Sequence, residues 1–320
     1  MTSLFKLAAG VALAAATALA HAQVDKPVKI LVGFAAGGSA DVAARLLAER
    51  MAAELKQPVI VENRAGAGGR IAAEALKNAP ADGSTLMLAP VVVPVLAPLV
   101  FSKLNYNPGT DFTPVAPVAN FQFGLSVPAA HPAKDLKGLV TWAKANPAQA
   151  NFGSPAPGSL PHFIGVMMGQ AAGVDMVHVP FNGGAPLMNA LVGNQVNVGV
   201  DTLVDQIEMH RNGKIRILAT SGAERSPLLP DVPTMGQSGL KGAEGQGWFG
   251  VFAPAKTPSA TVTQINAALN KALATPEVRE RMLKMGLEPT GGSPAALAAR
   301  IVRDTEHWAP VVKASGFKGD

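Results

Sequence analysis

The sequence predicts an α/β protein built from two layered units. Three observations predict it. Short apolar runs alternate with stretches of helical period. Glycine-rich loops follow several of the apolar runs. The alternation also starts again after a proline-rich stretch between residues 90 and 117. In the first unit, Val28 to Phe34 reads as a strand. The helix after it runs from Asp41 to Leu55, with Val42, Leu46, Leu47 and Met51 on one face. Val59 to Asn63 is a second strand, Ala65 to Gly69 a second glycine loop and Ile71 to Lys77 a second helix. Asp82-Gly83 marks a turn before the strand Thr85 to Leu88. Pro90, Pro94, Pro98, Pro108, Pro114 and Pro117 then predict a long irregular connection.

The second unit opens with a strand at Phe123 to Val127 and a helix at Leu136 to Ala145. Asn151 to Ser154 is a strand end entering the loop Pro155 to Ser159, and His162 to Ala171 is a helix. Met176 to Pro180 is a strand entering the loop Phe181 to Ala185, followed by a helix from Leu187 to Val192. Strands follow at Val196 to Asp201 and Ile215 to Thr220. Trp248 to Ala253 reads as a strand returning to the first unit. Helices at Ser259 to Ala274 and Pro276 to Met285 lead to an amphipathic tail from Pro294 to Ala314. No repeat with a period of tens of residues is visible.

The N-terminus predicts export. Lys6 supplies a positive start, Leu7 to Leu19 an apolar run, and Ala20-His21-Ala22 a small-residue cleavage site before Gln23. The apolar run is too short to span a bilayer, and no cysteine follows Ala22 to carry a lipid. Residues 1–22 are therefore expected to leave as a signal peptide. The rest is long enough for two domains. With Cys 0 it relies on its core rather than on disulfides in an oxidising compartment. The net charge of +5 is scattered, without a basic run, and a single Tyr and 3 Trp offer no stacking platform. Nucleic acid is thereby excluded as a partner.

Chemistry concentrates in the loops at strand ends, residues 33–40, 89–93, 153–159 and 181–185, because open α/β sheets bind ligands at the carboxyl ends of strands. The first loop is the most informative. Gly33, Gly37 and Gly38 permit a tight turn, and the first N–H groups of the following helix point back into it, which suits an anion. Capping by Ser39 or Asp41 is the plainer account of the same residues, and Asp41 with Arg45 has helix-pair spacing. Enzyme signatures are lacking. Gly66-Ala67-Gly68-Gly69 is not a dinucleotide fingerprint, and no lysine of a phosphate-binding loop follows it. Gly153-Ser154-Pro155 is not a nucleophile elbow. His131, His162, His178, His210 and His307 show no metal-ligand spacing, so neither a metal nor another cofactor is expected. Arg64 and Arg70 flank the second glycine loop, where an anion contact and a structural role are both open.

The chain resembles the substrate-binding proteins of tripartite tricarboxylate transporters, the Bug family. The motifs that carry this are Val59 to Gly69 (VIVENRAGAGG), Pro80-Ala81-Asp82-Gly83, Asp175 to Phe181, Arg225-Ser226-Pro227 with Leu229 to Thr234, and Trp248-Phe249-Gly250. The similarity runs over residues 24–317. The resemblance implies a two-lobed Venus-flytrap fold with two crossover strands. On this chain lobe one is expected at 23–122 with 251–320, and lobe two at 123–250. It implies a periplasmic monomer that captures a small organic carboxylate for the membrane components of a transporter. An exported enzyme acting in the same cleft, or a ligand sensor without a transporter, is the alternative. The matching loops would place Phe34, Ala36, Gly37, Gly38, Ser39, Ala40 and Asp41 on one side of the ligand. Ser154, Pro157, Gly158 and Ser159 would stand on the other. Val91 and Val92, together with Phe181, Asn182, Gly183, Gly184, Ala185 and Asp201, would complete the wall. Three departures from the family pattern are Ser84 after the Asp-Gly turn, Phe181-Asn182 for Tyr-Lys, and the apolar run Val91 to Val93. The last two favour a ligand with an apolar body behind its carboxylate.

Overall fold

The computed structural model describes residues 26–319. The expected signal peptide, residues 1–22, lies outside them. Two mixed sheets carry the fold. The first has six strands in the order β11-β4-β10-β3-β1-β2: β1 (Val28–Val32), β2 (Val59–Asn63), β3 (Thr85–Pro90), β4 (Phe112–Phe121), β10 (Gly247–Pro254) and β11 (Glu288–Pro289). The second has five in the order β7-β6-β8-β5-β9: β5 (Phe123–Pro128), β6 (Asn151–Ser154), β7 (Val177–Pro180), β8 (Gly199–Thr202) and β9 (Ile215–Thr220). The chain leaves the first sheet and enters the second at Gln122. It comes back through residues 221–246 into β10. The expected lobe boundary after residue 250 therefore falls inside β10, which pairs with β3 and β4 along its length.

Among the described residues nine longer helices flank the sheets. They are α1 (Ser39–Leu55), α2 (Arg70–Lys77), α3 (Leu136–Ala145), α4 (Leu160–Ala172), α5 (Gly184–Val192), α6 (Leu203–Arg211), α7 (Ser259–Ala274), α8 (Pro276–Lys284) and α9 (Pro294–Ser315). α9 packs on β4 of the first sheet and also on α4 of the second lobe. One apolar core runs through this junction and includes Phe123, Phe163, Ile164, Trp248, Leu297 and Trp308. There Trp248, with 0% exposure, donates its indole N–H to Asp304 Oδ2 at 2.7 Å, and the Arg300 guanidinium lies 5.2 Å from the Trp248 ring.

Two elements differ most from the sequence reading. The proline-rich connection contains β4, a strand of 10 residues. Its pairing with β10 shifts register twice, skipping Val115 and Val118. The carbonyls of those two residues turn outward and accept from Asn266 Nδ2 at 2.8 Å and from the Thr290 N–H at 3.0 Å. Bulges of this kind are where a strand tolerates residues without an N–H, here Pro114 and Pro117. The helix α6 is also absent from the sequence reading. Its buried face includes Gln206, which donates Nε2 to the Gly124 and Asp201 carbonyls. A polar residue on the inward stripe hides the helical period. The strand expected from Val196 begins only at Gly199, and the helix expected from Asp41 begins at Ser39.

Candidate functional site

A cavity of about 310 Å³ opens between the two lobes. The first lobe contributes Phe34, Gly38, Ser39 and Ala40 from the β1–α1 loop, Pro90 and Val92 after β3, and Met285 and Leu287 after α8. The second contributes Pro155, Ser159, Leu160 and Pro161 around the start of α4, with Thr202 and Val204 at the start of α6. The strands joining the lobes supply a floor of Phe121, Phe123 and Phe249. Phe121 meets Phe123 edge-on, with centroids 5.7 Å apart, and Phe249 in a tilted contact at 5.0 Å.

Three helices, α1, α4 and α6, begin at this cavity, and none has a side-chain cap. The N-cap of α1 is Gly38, so the first-turn N–H groups of Ser39 and Ala40 have no partner within the helix. The N-cap of α4 is Ser159. Its hydroxyl points away from its own helix and donates to the Ala156 carbonyl at 2.6 Å, leaving the Leu160 N–H free of a cap. Pro161 follows Leu160 in the first turn, where a missing N–H costs nothing. Helix starts of this kind attract anions through free N–H groups and the positive end of the helix dipole.

The loops are held rigid from behind. Asp41 is buried under the first loop. Its carboxylate accepts from the Gly37 N–H at 2.9 Å, Arg45 Nε at 3.0 Å and Asn63 Nδ2 at 2.8 Å. Arg45 above all, with these N–H donors, holds that carboxyl down at about 2. Asn63 also donates to the Phe34 carbonyl. Gly37 has φ +83°, which a side chain would strain. A Cβ on Gly33 would come within 2.5 Å of the Gly69 backbone, so the second glycine loop packs under the first rather than facing a ligand. Its flanking arginines are structural: Arg64 pairs with Glu62 and Arg70 covers the Phe101 ring at 3.8 Å.

In the second lobe, Ser154 is buried, its hydroxyl 2.8 Å from His178 Nε2. The Gly158 N–H donates to His162 Nδ1 at 3.0 Å. The two imidazoles stack with centroids 3.9 Å apart. Burial lowers both, His162 to about 4. The Gly183 N–H donates to the Pro155 carbonyl at 2.7 Å, and Phe181 packs against Gly153. The loop 181–185 is thus a support behind the loop 155–159.

Of the residues expected around a ligand, the structure brings Phe34, Gly38, Ser39, Ala40, Val92 and Ser159 to the cavity. The others do not line it. Ala36, Gly37 and Pro157 lie at the outer turns of their loops, and Asp41, Ser154 and Gly158 brace those loops. Val91 is fully buried, its N–H donating to the Trp248 carbonyl. Phe181, Asn182 and Gly183 stand in the supporting loop, and Gly184 and Ala185 in the first turn of α5. Asp201 is 2% exposed, accepts from the Thr202 N–H at 2.8 Å and reaches no cavity. Burial raises its carboxyl to about 7. The floor phenylalanines and the pair Met285 and Leu287 were not expected, because their meeting depends on how the strands cross between lobes. Among the described residues no group of three or more His, Asp or Glu is placed to hold a metal.

Residues 43–317 match the family model described as the tripartite tricarboxylate transporter family receptor. The chain belongs to that family. Solved structures of receptor-like proteins agree with its geometry. The periplasmic binding protein BugD is 34% identical, with a TM-score of 0.76 over 92% of this chain and 99% of that one. A MatC protein from Rhodopseudomonas palustris with bound malate is 34% identical, with a TM-score of 0.76 over 90% of this chain and 99% of that one. Another R. palustris protein, with adipate, is 32% identical, with a TM-score of 0.80 over 92% of this chain and 99% of that one. The receptor's two-lobed α/β architecture is that of periplasmic binding proteins.

Proposed function

We propose that the chain is a periplasmic receptor that captures a small organic carboxylate in the interlobe cleft and delivers it to the membrane components of a tripartite transporter. One observation carries the reading: two uncapped helix N-termini, α1 of one lobe and α4 of the other, begin at the same cavity. Free amide donors from both lobes suit one anion held between them, and such an anion favours the lobes' approach. Relatives that hold malate and adipate support a carboxylate as that anion. We place lobe one at residues 23–122 with the chain from the start of β10 onward, and lobe two between them, in a monomer that needs no metal and performs no turnover. Export through a signal peptide cut between Ala22 and Gln23 would bring the receptor to the periplasm, where the intact mass of the secreted protein reports the cut. No helix among the described residues is long and apolar enough to cross a membrane.

Calorimetry on protein stripped of ligand by unfolding and refolding tests the reading. A panel of carboxylates, with the amide of each as control, should include at least one carboxylate that binds with one-to-one stoichiometry while its amide does not. Dialysis against a chelator should leave that affinity unchanged. Equal binding of amides and carboxylates, or consumption of the bound acid, would contradict it.

A further inference from the structure

We infer that the ligand is an apolar monocarboxylate, an acid with one charged end and a hydrocarbon body. This rests on the carboxylate-receptor reading and narrows it.

The wall of the cavity is uneven in chemistry. None of its lining residues carries a charged side chain. Its polar groups belong to the starts of three helices: Ser39 with the α1 amides, Ser159 with the α4 amides, and Thr202 before α6. The remainder is hydrocarbon and aromatic ring, the Phe121–Phe123–Phe249 floor and the side chains of Val92, Val204 and Leu287. The lobes also meet through apolar groups beside the cavity. A Cβ on Gly286 would lie 3.2 Å from Val204 Cβ, between Met285 and Leu287.

A second carboxylate at that apolar end would find no cationic side chain in the cavity wall. Lys284, the nearest in sequence, pairs with Glu280 at 2.7 Å. The ionisable group beside Leu287 is Glu288, half-buried and accepting from Gln122 Nε2 at 3.1 Å. Its negative charge would repel another anion, and an ionised group placed on apolar surface loses its hydration without return. A methyl or phenyl group at the same place gains the full benefit of leaving water.

Hexanoate and adipate form a matched pair for the test, with the same six-carbon skeleton ending in a methyl or in a second carboxylate. We expect calorimetry on the stripped full-length mature receptor to show hexanoate binding at least tenfold tighter than adipate. It should also bind roughly fourfold tighter for each methylene added from butanoate onward. The variant Met285→Lys, at the half-exposed rim, should shift the hexanoate-to-adipate ratio about tenfold toward adipate. Adipate binding as tightly as hexanoate, or a flat chain-length series, would overturn the inference and leave the carboxylate-receptor reading standing. A ratio unmoved by Met285→Lys would overturn the placement of the apolar end. Hexanamide matching hexanoate would instead bring down the carboxylate reading, and this inference with it.

Discussion

Gly37 and Gly38, adjacent in the first loop, do different work. Gly37 is required by its backbone, since φ +83° is costly for any residue with a Cβ. Gly38 has an ordinary extended backbone, φ −73° and ψ 165°, and a Cβ there would have only the Ala35 carbonyl oxygen nearby, at 3.4 Å. Its value is space, because it lines the cavity. Gly38→Val should therefore fold normally and lose ligand binding. A ligand at a hundred times its dissociation constant stabilises the wild type by about 2.7 kcal/mol. That ligand-dependent rise in melting temperature should be missing in the variant, and a full rise would show that the loop is only a turn. The sequence made this loop legible because glycines and a helix start sit side by side in it. It could not separate lining residues from bracing ones. Asp41 and Asp201 looked like ligand contacts, yet one ties Gly37 to Arg45 and the other is buried behind Thr202. Such roles follow from contacts with residues distant in sequence, Asn63 for Asp41 and Gly184 for Asp201.

At the scale of elements, the strand and helix alternation was readable wherever one face of an element is uniformly apolar. It failed at β4, where prolines sit beside bulges, and at α6, where Gln206 occupies the inward stripe. The support of the α4 loop has a consequence for pH. His162 faces His178 in its stack, with Phe152, Phe163 and Phe317 around it, and Asp175 lines the same outer pocket. Burial keeps His162 neutral down to about 4 while the unfolded chain protonates it near 6.5. Between those values the unfolded state binds the extra proton, so stability falls as pH drops through that window, by up to roughly 3 kcal/mol. His162→Asn keeps an acceptor for the Gly158 N–H and has no such proton. Melting temperatures taken from pH 7 to 4.5 should show the wild type losing stability relative to this variant. Parallel curves would exclude the effect. The junction under α9 makes a separate prediction. Asp304→Ala would leave the buried Trp248 N–H unpartnered and should cost about 1–3 kcal/mol in urea unfolding. Because Asp304 does not line the cavity, ligand affinity should change little. Unchanged stability would mean that water replaces the carboxylate there.

For the whole molecule, the division into two α/β units was legible, because the strand and helix pattern restarts at Phe123. The joining of those units was not. Gln122 sits at the crossing, donating Nε2 to the Glu224 carbonyl at 3.2 Å and to Glu288 Oε1 at 3.1 Å, and accepting the Leu203 N–H on its own carbonyl. Ser221 and Phe123 exchange hydrogen bonds beside it. These contacts tie both passages of the chain to α6 and β11, and so set which apolar side chains close the floor of the cleft. An apolar character for the ligand site was expected from Val91 to Val93 and Phe181. The structure keeps that character and assigns most of it to other residues, Phe121, Phe123 and Phe249 among them.

In the proposed complex one carboxylate sits between the starts of α1 and α4. Amide-resolved NMR of the receptor during titration with hexanoate tests it most directly. The largest shifts should fall on the N–H groups of Ser39, Ala40 and Leu160, with hexanamide leaving them in place. Shifts centred on any other part of the molecule, with those three amides unmoved at saturation, would contradict it.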